Sequence, residues 1–485
     1  MNKKSIAKNY IFNLVYQLLS IVLPLVTTPY LSRVLGAEPI GIYGYTISIV
    51  TYFILFGTLG ISMYGQREIA YVQNDKNKQS KAFWEINIVR FITLPISMLI
   101  FYLSFCLNGD YQIYYRILLL YMISNMFDIS WYLQGIEEFG KTVIRNIIVK
   151  ALSLILIFVC VKTQNDLWKY LLIFSGAELL GNLTMWMYLP RYINKVEFKK
   201  LEIKKHIKPT ITLFIPQIAT QIYTVMDKTM VGLITNNMSE VGYYEQAQKI
   251  VKSALTVITS LGTVMSSRIA NCYANNKKEE ILANIEKSFN FVCFLGIPIV
   301  LGIIGISKNL VPWFYGDGYE KVVSLLIATS PIILAIGFSN VTGLQYLVPI
   351  GKQKEYTKSV TIGALSNLIL NIILIKLFQS IGAAIASVIS EIFVFAVQYY
   401  YIRDIIKIRR IAKISCKYLI SGFVMLGILV ITQVMMIPSA MNTIIQIILG
   451  AIIYILILII LKDKFVLENI RNILGRIKKW KNMII

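Results

Sequence analysis

Histidine is almost missing from this chain: His206 is the one imidazole in 485 residues. It lies in a Lys-rich stretch and reads as a solvated loop residue. Cysteine is thin as well. Cys106, Cys160, Cys272, Cys293 and Cys416 show neither CxxC spacing nor an evident pairing, so neither a disulfide frame nor a metal site is suggested. No paired carboxylates at catalytic spacing emerge either, and no cofactor is expected. Charge is scarce: 15% of residues are charged, against about 25% in an ordinary soluble chain. Hydrophobic residues make up 56%, and the mean hydropathy is +0.65. The alternating ten-residue strands of a membrane barrel are also lacking. The apolar runs have helical length, about 20 residues each. What remains is an all-α polytopic membrane protein.

Acidic residues are the scarcer sign, 25 against 48 Lys and Arg, which leaves a formal charge of +23. Such an excess tempts one toward nucleic acid. Sorting the basic residues by loop removes the temptation. With the N-terminus cytoplasmic, roughly three quarters of them fall in inner loops and tails, the positive-inside bias. The densest stretches run from Arg191 to Lys208, Arg403 to Lys417 and Lys462 to Lys481, where they can also rest on anionic headgroups. The charge is topological, and no nucleic-acid partner is expected.

The apolar runs give spans at 9–31, 41–63, 86–107, 113–134, 146–163, 169–189, 210–234, 246–268, 288–308, 322–348, 358–377, 382–402, 416–436 and 442–462. That is about fourteen, an even number, which puts both termini on the cytoplasmic side. Lys3 and Lys4 precede a long first span containing Pro24 and Pro29, without a small-residue cleavage site, so no cleavable signal peptide is expected.

An internal repeat is visible. Gly41, Tyr43 and Arg67 recur as Gly242, Tyr244 and Arg268; Ser124-Asn125 recurs as Ser339-Asn340, and Glu178 as Glu391. A duplicated six-span unit is expected to insert twice in the same sense, related by a pseudo-twofold along the membrane normal. The expected divisions are 1–205 and 206–412 for two six-helix lobes around a central cavity. Residues 413–485 hold two additional helices and a basic cytoplasmic tail. Pro24 in the first span and Pro216 in the seventh occupy equivalent spans and are candidate bending points, although proline is common in membrane helices.

The least ordinary stretch is LFIPQIATQIYTVMDKTMVGLI, Leu213 to Ile234, which carries Asp227 and Lys228 side by side. Buried, that pair costs about 5–7 kcal/mol, while the Leu, Ile, Phe and Val residues return roughly 3–5. The helix therefore needs neighbours or water on its polar side. Gln217, Gln221, Thr224 and Lys228 share one face, and Gln246, Lys249, Ser253, Thr256, Ser260, Thr263 and Ser267 continue the pattern on the next helix. Hydroxyl stripes commonly glue helices together. With Lys228, Lys249 and Lys252 among them, these stripes read as walls of a hydrated cavity.

The run Arg33-Val-Leu-Gly36-Ala-Glu38-Pro-Ile-Gly41-Ile-Tyr43 resembles the loop after the first span of polysaccharide repeat-unit flippases of the Wzx type. These belong to the polysaccharide transport branch of the MOP exporter superfamily. Gly65-Gln-Arg-Glu68, Asp128-Ile-Ser-Trp131-Tyr-Leu-Gln-Gly135, Pro216 through Gly232, Gly242-Tyr-Tyr244 continuing to Gln248-Lys249-Ile250, and Gln345-Tyr-Leu-Val-Pro349 with Gly351-Lys352 extend the likeness to about residue 465. Ser266-Ser267-Arg268 departs from it, since Pro-Arg is expected there. The resemblance implies two six-helix lobes plus two helices. It also implies a cargo, an O-antigen- or capsule-type oligosaccharide on undecaprenyl diphosphate, moved across the bacterial cytoplasmic membrane by alternating access. Membrane lipids and polysaccharide assembly proteins are the further partners it suggests.

Under that resemblance, Lys228, Lys249, Lys252, Arg33 and Arg90, with Gln217 and Gln221, are the candidate contacts for the anionic head group. Lys249 and Lys252 have the alternative of snorkelling to the interface. Asp128, Asp227, Glu178 and Glu391 are candidates for coupling to H+ or Na+, because a carboxylate in a span is readily protonated. Asp227 has the equal alternative of neutralising a lysine. Arg67 and Arg268, at inner span ends, suit gating or headgroup anchoring better than cargo binding. Sister exporters for drugs or for the peptidoglycan lipid precursor are the nearest rival. A membrane polymerase or ligase is the rival from another class, disfavoured by short outer loops and the lack of acid–base groups, so no enzyme is expected.

Overall fold

A computed structural model describes residues 23 and 25–467, apart from the side chains of residues 139, 213, 215–217, 219–224 and 263. Every regular element among the described residues is helical. Ten helices among them are long and apolar enough to cross a membrane, so this is a multi-pass membrane protein. Three helices on expected spans fall outside those ten. Gln112–Met126 is short, at 15 residues. Leu167–Trp186 and Lys204–Thr235 dilute their apolar runs with Lys169, Glu178 and Asn182, and with Asp227 and Lys228.

The chain divides into two compact units, Met1–Glu245 and Gln246–Ile485. This division lies beyond the expected boundary at 205/206. The long helix Lys204–Thr235 packs on Ala37–Thr58, Ile61–Tyr71 and Lys76–Phe101, and so belongs to the first unit. We number the helices of that unit α1 (Ala37–Thr58), α2 (Ile61–Tyr71), α3 (Lys76–Phe101), α4 (Gln112–Met126), α5 (Ser130–Gly135), α6 (Phe139–Cys160), α7 (Leu167–Trp186) and α8 (Lys204–Thr235). Helix α9 (Met238–Thr259) starts in the first unit and runs into the second.

Local chemistry sets several of these helix starts. Gly36, at φ 82°, caps α1 in a backbone region that favours glycine. The Asp75 carboxylate accepts from the N–H groups of Asn77 and Lys78 and starts α3. Thr163 and Asp166 form a capping box ahead of α7.

Two of the sequence motifs turn out to be packing devices. A Cβ on Gly65 would lie 2.3 Å from the Trp131 ring, and one on Gly135 would lie 2.8 Å from Ile69 Cβ. Helices α2 and α5 thus cross through glycines, in a core that includes Phe83, Trp131 and Tyr132. The repeat also has a physical counterpart within the first unit. A Cβ on Gly41 would meet the Met238 carbonyl oxygen at 1.6 Å, and a Cβ on Gly242 would meet the Ala37 carbonyl oxygen at 2.0 Å. Ala37 and Gly41 of α1 are the repeat counterparts of Met238 and Gly242 of α9. The starts of the two helices therefore touch through reciprocal contacts.

His206 is a correction. It sits in the first turn of α8, 1% exposed, not in a solvated loop. Its Nε2 bonds the enclosed Glu85 carboxylate at 2.8 Å, and its Nδ1 bonds the Tyr64 hydroxyl at 2.6 Å. Lys205 pairs with Glu85 at 3.0 Å, and the Glu202 N–H donates to the same carboxylate at 2.6 Å. The charged loop ahead of α8 is thereby locked to α2 and α3.

In the second unit, the expected eighth span is two helices, α9 and α10 (Gly262–Ala274), parted at Ser260 and Leu261 without proline. Next come α11 (Lys278–Tyr315), α12 (Lys321–Thr329) and α13 (Ile332–Ser339), then a π-helical stretch, Asn340–Leu347, then α14 (Gln353–Phe378) and α15 (Ser380–Ile402). The two additional helices, α16 (Ile408–Met435) and α17 (Ala440–Ile460), pack on α11 in a core containing Cys293, Tyr418, Met425 and Tyr454.

Candidate functional site: compensated charges within apolar helices

Helix α8 ends at Thr235 and α9 begins at Met238, so Lys228 and Glu245 each lie seven residues, about 10 Å, from the connecting turn. Their depths match, and their side chains pair as ammonium and carboxylate while only 15% and 10% exposed. Asp227 faces the preceding residue of α9: the Tyr244 hydroxyl donates to its Oδ2 at 2.5 Å. The Thr229 hydroxyl contacts Ser48 Oγ at 2.7 Å and Tyr52 Oη at 3.2 Å, tying α8 to α1. Gly44 of α1 gives Glu245 room, since a Cβ there would already stand 3.7 Å from its Oε2. Tyr43, edge-on to Tyr170, brings a phenol from α1 and another from α7 within electrostatic reach of Glu245.

The sequence reading offered Lys228 to cargo and gave Asp227 two equal readings, ion coupling or neutralising a lysine. In the structure Lys228 is paired with Glu245, a residue that reading did not single out. The signal was available: Glu245 is a carboxylate inside the Gly242-Tyr-Tyr-Glu-Gln-Ala-Gln-Lys run, seventeen residues after Lys228.

Asp128 and Glu178 do come together. They line a polar cavity of about 270 Å3 between α4, α6 and α7, with Tyr121, Asn125, Arg145 and Asn182. The Arg145 guanidinium lies 3.9 Å from Glu178 and donates to the side-chain oxygens of Asn146 and Asn182. Asn182 in turn donates to Ser124 Oγ at 2.8 Å. Asp128 accepts from the Ser130 N–H at 2.9 Å. Arg90 stands behind this wall, 1% exposed, and its guanidinium donates to the backbone carbonyls of Asp128 and Asn125. Its capacity goes to the frayed end of α4 instead of an open surface.

In the second unit, Glu391 is 7% exposed and accepts from Ser339 Oγ at 3.4 Å. The repeat-related pairs therefore join equivalent helices by different means, Asn182 to Ser124 in one unit and Glu391 to Ser339 in the other. Lys249 is half-buried and Lys252 exposed. Arg33, Arg67 and Arg268 are exposed, and the Arg67 guanidinium lies over the rings of Tyr64 and Tyr71. The side chains of Gln217, Gln221 and Pro216 lie outside the described residues, as does Pro24.

The family described as polysaccharide biosynthesis protein matches residues 6–270, more than half of the chain. The chain belongs to this family. A protein of Escherichia coli (strain K12), provisionally designated an O-antigen transporter, is 26% identical over 408 residues, covering 83% of this chain and 98% of its own length. The capsular polysaccharide biosynthesis protein CapF of Staphylococcus aureus is 23% identical over 406 residues, covering 81% of this chain and 98% of its own. Among solved structures, the lipid II flippase MurJ in an inward closed conformation matches this family member with a TM-score of 0.74 and 20% identity. That match covers 94% of this chain and 99% of MurJ. An inward-facing multidrug resistance MATE transporter of the MOP superfamily matches with a TM-score of 0.63 and 15% identity, over 83% of this chain and 98% of its own. At such identities the likeness establishes the fold.

Proposed function

We propose that the protein is a flippase that carries undecaprenyl-diphosphate-linked oligosaccharide units from the inner to the outer leaflet of the bacterial cytoplasmic membrane. It works by alternating access, coupled to an H+ or Na+ gradient, with both termini cytoplasmic and without catalysing a covalent step. Membership of the polysaccharide biosynthesis family and the names of the relatives supply the cargo class. The single structural observation that carries the mechanism is the Lys228–Glu245 pair: an enclosed cation held by a carboxylate from the next helix. An enclosed ammonium needs an anionic partner, and a phosphate oxygen is a natural alternative to the carboxylate. Asp128, Asp227, Glu178 and Glu391 are the proposed coupling carboxylates, and Lys249, Lys252 and Arg33 are proposed to extend the cation path.

The test is deletion of the gene, followed by leaflet-resolved labelling of the lipid-linked glycan with a membrane-impermeant reagent. Accumulation on the cytoplasmic face is expected. Unchanged arrival at the outer leaflet sinks the reading. A defect confined to lipid II reassigns the cargo, and glycan elongation by the purified protein overturns the non-enzymatic part.

A further inference from the structure

We infer that Glu245 is a built-in stand-in for the cargo's phosphate: it occupies Lys228 while the carrier is empty and is displaced when a diphosphate arrives. The inference rests on the flippase reading above and adds the residue that sets how tightly the cargo is held and how the empty protein resets.

The geometry comes first. Glu245 reaches Lys228 from the neighbouring helix at matched depth, and both side chains are largely enclosed. A carboxylate and a phosphate offer an ammonium the same thing, a localised anionic oxygen at hydrogen-bond distance, so they compete for one seat. Among the titratable groups near Glu245 are Lys228 from α8, which pairs with it, and Tyr43 from α1 and Tyr170 from α7, within electrostatic reach. On its own helix, the neighbouring Tyr244 is turned to Asp227.

The electrostatics follow. An empty carrier with Lys228 unpaired would hold a bare charge among apolar helices, and moving it would be slow. With Glu245 in place the Lys228 charge is paired in the empty carrier. When cargo binds, Lys228 stays protonated and changes partner, and the displaced Glu245 carboxylate takes up a proton from water, a cost that comes off the cargo's affinity. The stand-in therefore weakens cargo binding and speeds the empty return.

The experiment uses the full-length protein in lipid nanodiscs with farnesyl diphosphate as the probe. Glu245→Gln removes the competing charge at nearly constant shape, and affinity is expected to rise roughly ten- to hundredfold, the range for a hydrogen bond to a charged group. Glu245→Asp, one methylene shorter, gives a smaller gain in the same direction and guards against misfolding of the first variant. Lys228→Gln loses binding. In vesicles, Glu245→Gln moves cargo more slowly at saturation although it binds more tightly, a split that general destabilisation does not produce. Equal or weaker binding by both Glu245 variants, or no binding of the probe by any form, overturns the inference. If deletion strands glycan on the inner leaflet while the Glu245 variants gain nothing, the function stands and this inference falls. If the gain appears but deletion leaves the glycan's leaflet unchanged, the seat exists and the cargo assignment falls.

Discussion

The reciprocal glycine contact between α1 and α9 makes a sharp stability prediction. Gly41→Ala places a methyl 1.6 Å from the Met238 carbonyl oxygen, and Gly242→Ala places one 2.0 Å from that of Ala37. Both obstacles are backbone, so no rotamer change relieves them. The helix starts must part, which loosens the neighbouring Asp227–Tyr244 bond and Lys228–Glu245 pair. Each single change should cost about 1–3 kcal/mol, the overpacking range. The double variant should cost less than the sum, because the second methyl enters a gap the first has opened; a coupling of about 1 kcal/mol is expected for contacts sharing one backbone shift.

Gly176→Ala is the control. It lies inside α7 with nothing within 4 Å of an added Cβ, and should gain several tenths of a kcal/mol from helix propensity alone. Thermal melting of the detergent-solubilised protein, followed by size-exclusion of the surviving fraction, measures all four. If Gly41→Ala and Gly242→Ala melt with the wild type while the control behaves as stated, the close approach of α1 and α9 is wrong.

Three further outcomes follow from the same structure. His206→Ala removes the buried hydrogen bonds to Glu85 and Tyr64 while Lys205 still pairs with Glu85, and should destabilise by about 1–3 kcal/mol, read as a lower melting temperature. The Lys169 ammonium and the N–H groups of Lys162 and Thr163 hold the Asp166 carboxyl well below the usual carboxylate range. Its stabilisation is therefore complete above the unfolded-state value, near 4, and fades as pH falls toward the folded one; melting curves of Asp166→Asn between pH 3 and 7 should show a flatter acid limb. Asp128→Asn and Asp227→Asn should each lower gradient-dependent glycan transport in vesicles; if both leave transport and its ion dependence intact, coupling lies elsewhere.

Composition made the fold class legible: a chain so poor in charge, with helix-length apolar runs, can only hide its backbone bonds as membrane helices. The ends of elements were harder. Span ten reads as one run from 322 to 348, yet the chain breaks at Ser330 and Pro331 and continues as a π-helix at Asn340, because hydropathy does not register which carbonyls lose their partners. The site was half legible. Asp227 and Lys228 stood out because two adjacent charges in an apolar run are expensive. Glu245 did not, because it lies among Tyr, Gln and Lys near a helix start, where a carboxylate needs no special explanation. His206 misled for the opposite reason: a Lys-rich neighbourhood suggests water, and only the fold reveals the enclosed Glu85 opposite it.

Among the described residues of the first unit, Arg90, Arg145 and Lys228 are enclosed cations, and one of these three is suited to change partners. Freeing Arg90 would orphan the carbonyls of Asn125 and Asp128 at the end of α4, about 1–3 kcal/mol for each buried acceptor, with no replacement donor supplied by a phosphate. Arg145 is held in a planar fork by Asn146, Asn182 and Glu178, and its departure would also unseat the Asn182–Ser124 bond between α7 and α4. Lys228 differs in kind. Its ammonium sits on a flexible stem, bound to a carboxylate whose loss can be answered by an incoming anion of like geometry. Exchange at Lys228 leaves the Arg90 bonds to the Asn125 and Asp128 carbonyls and the Asn182–Ser124 bond in place. A chain that must release its cargo as readily as it takes it would place its phosphate contact there, and use its arginines to keep the walls in position.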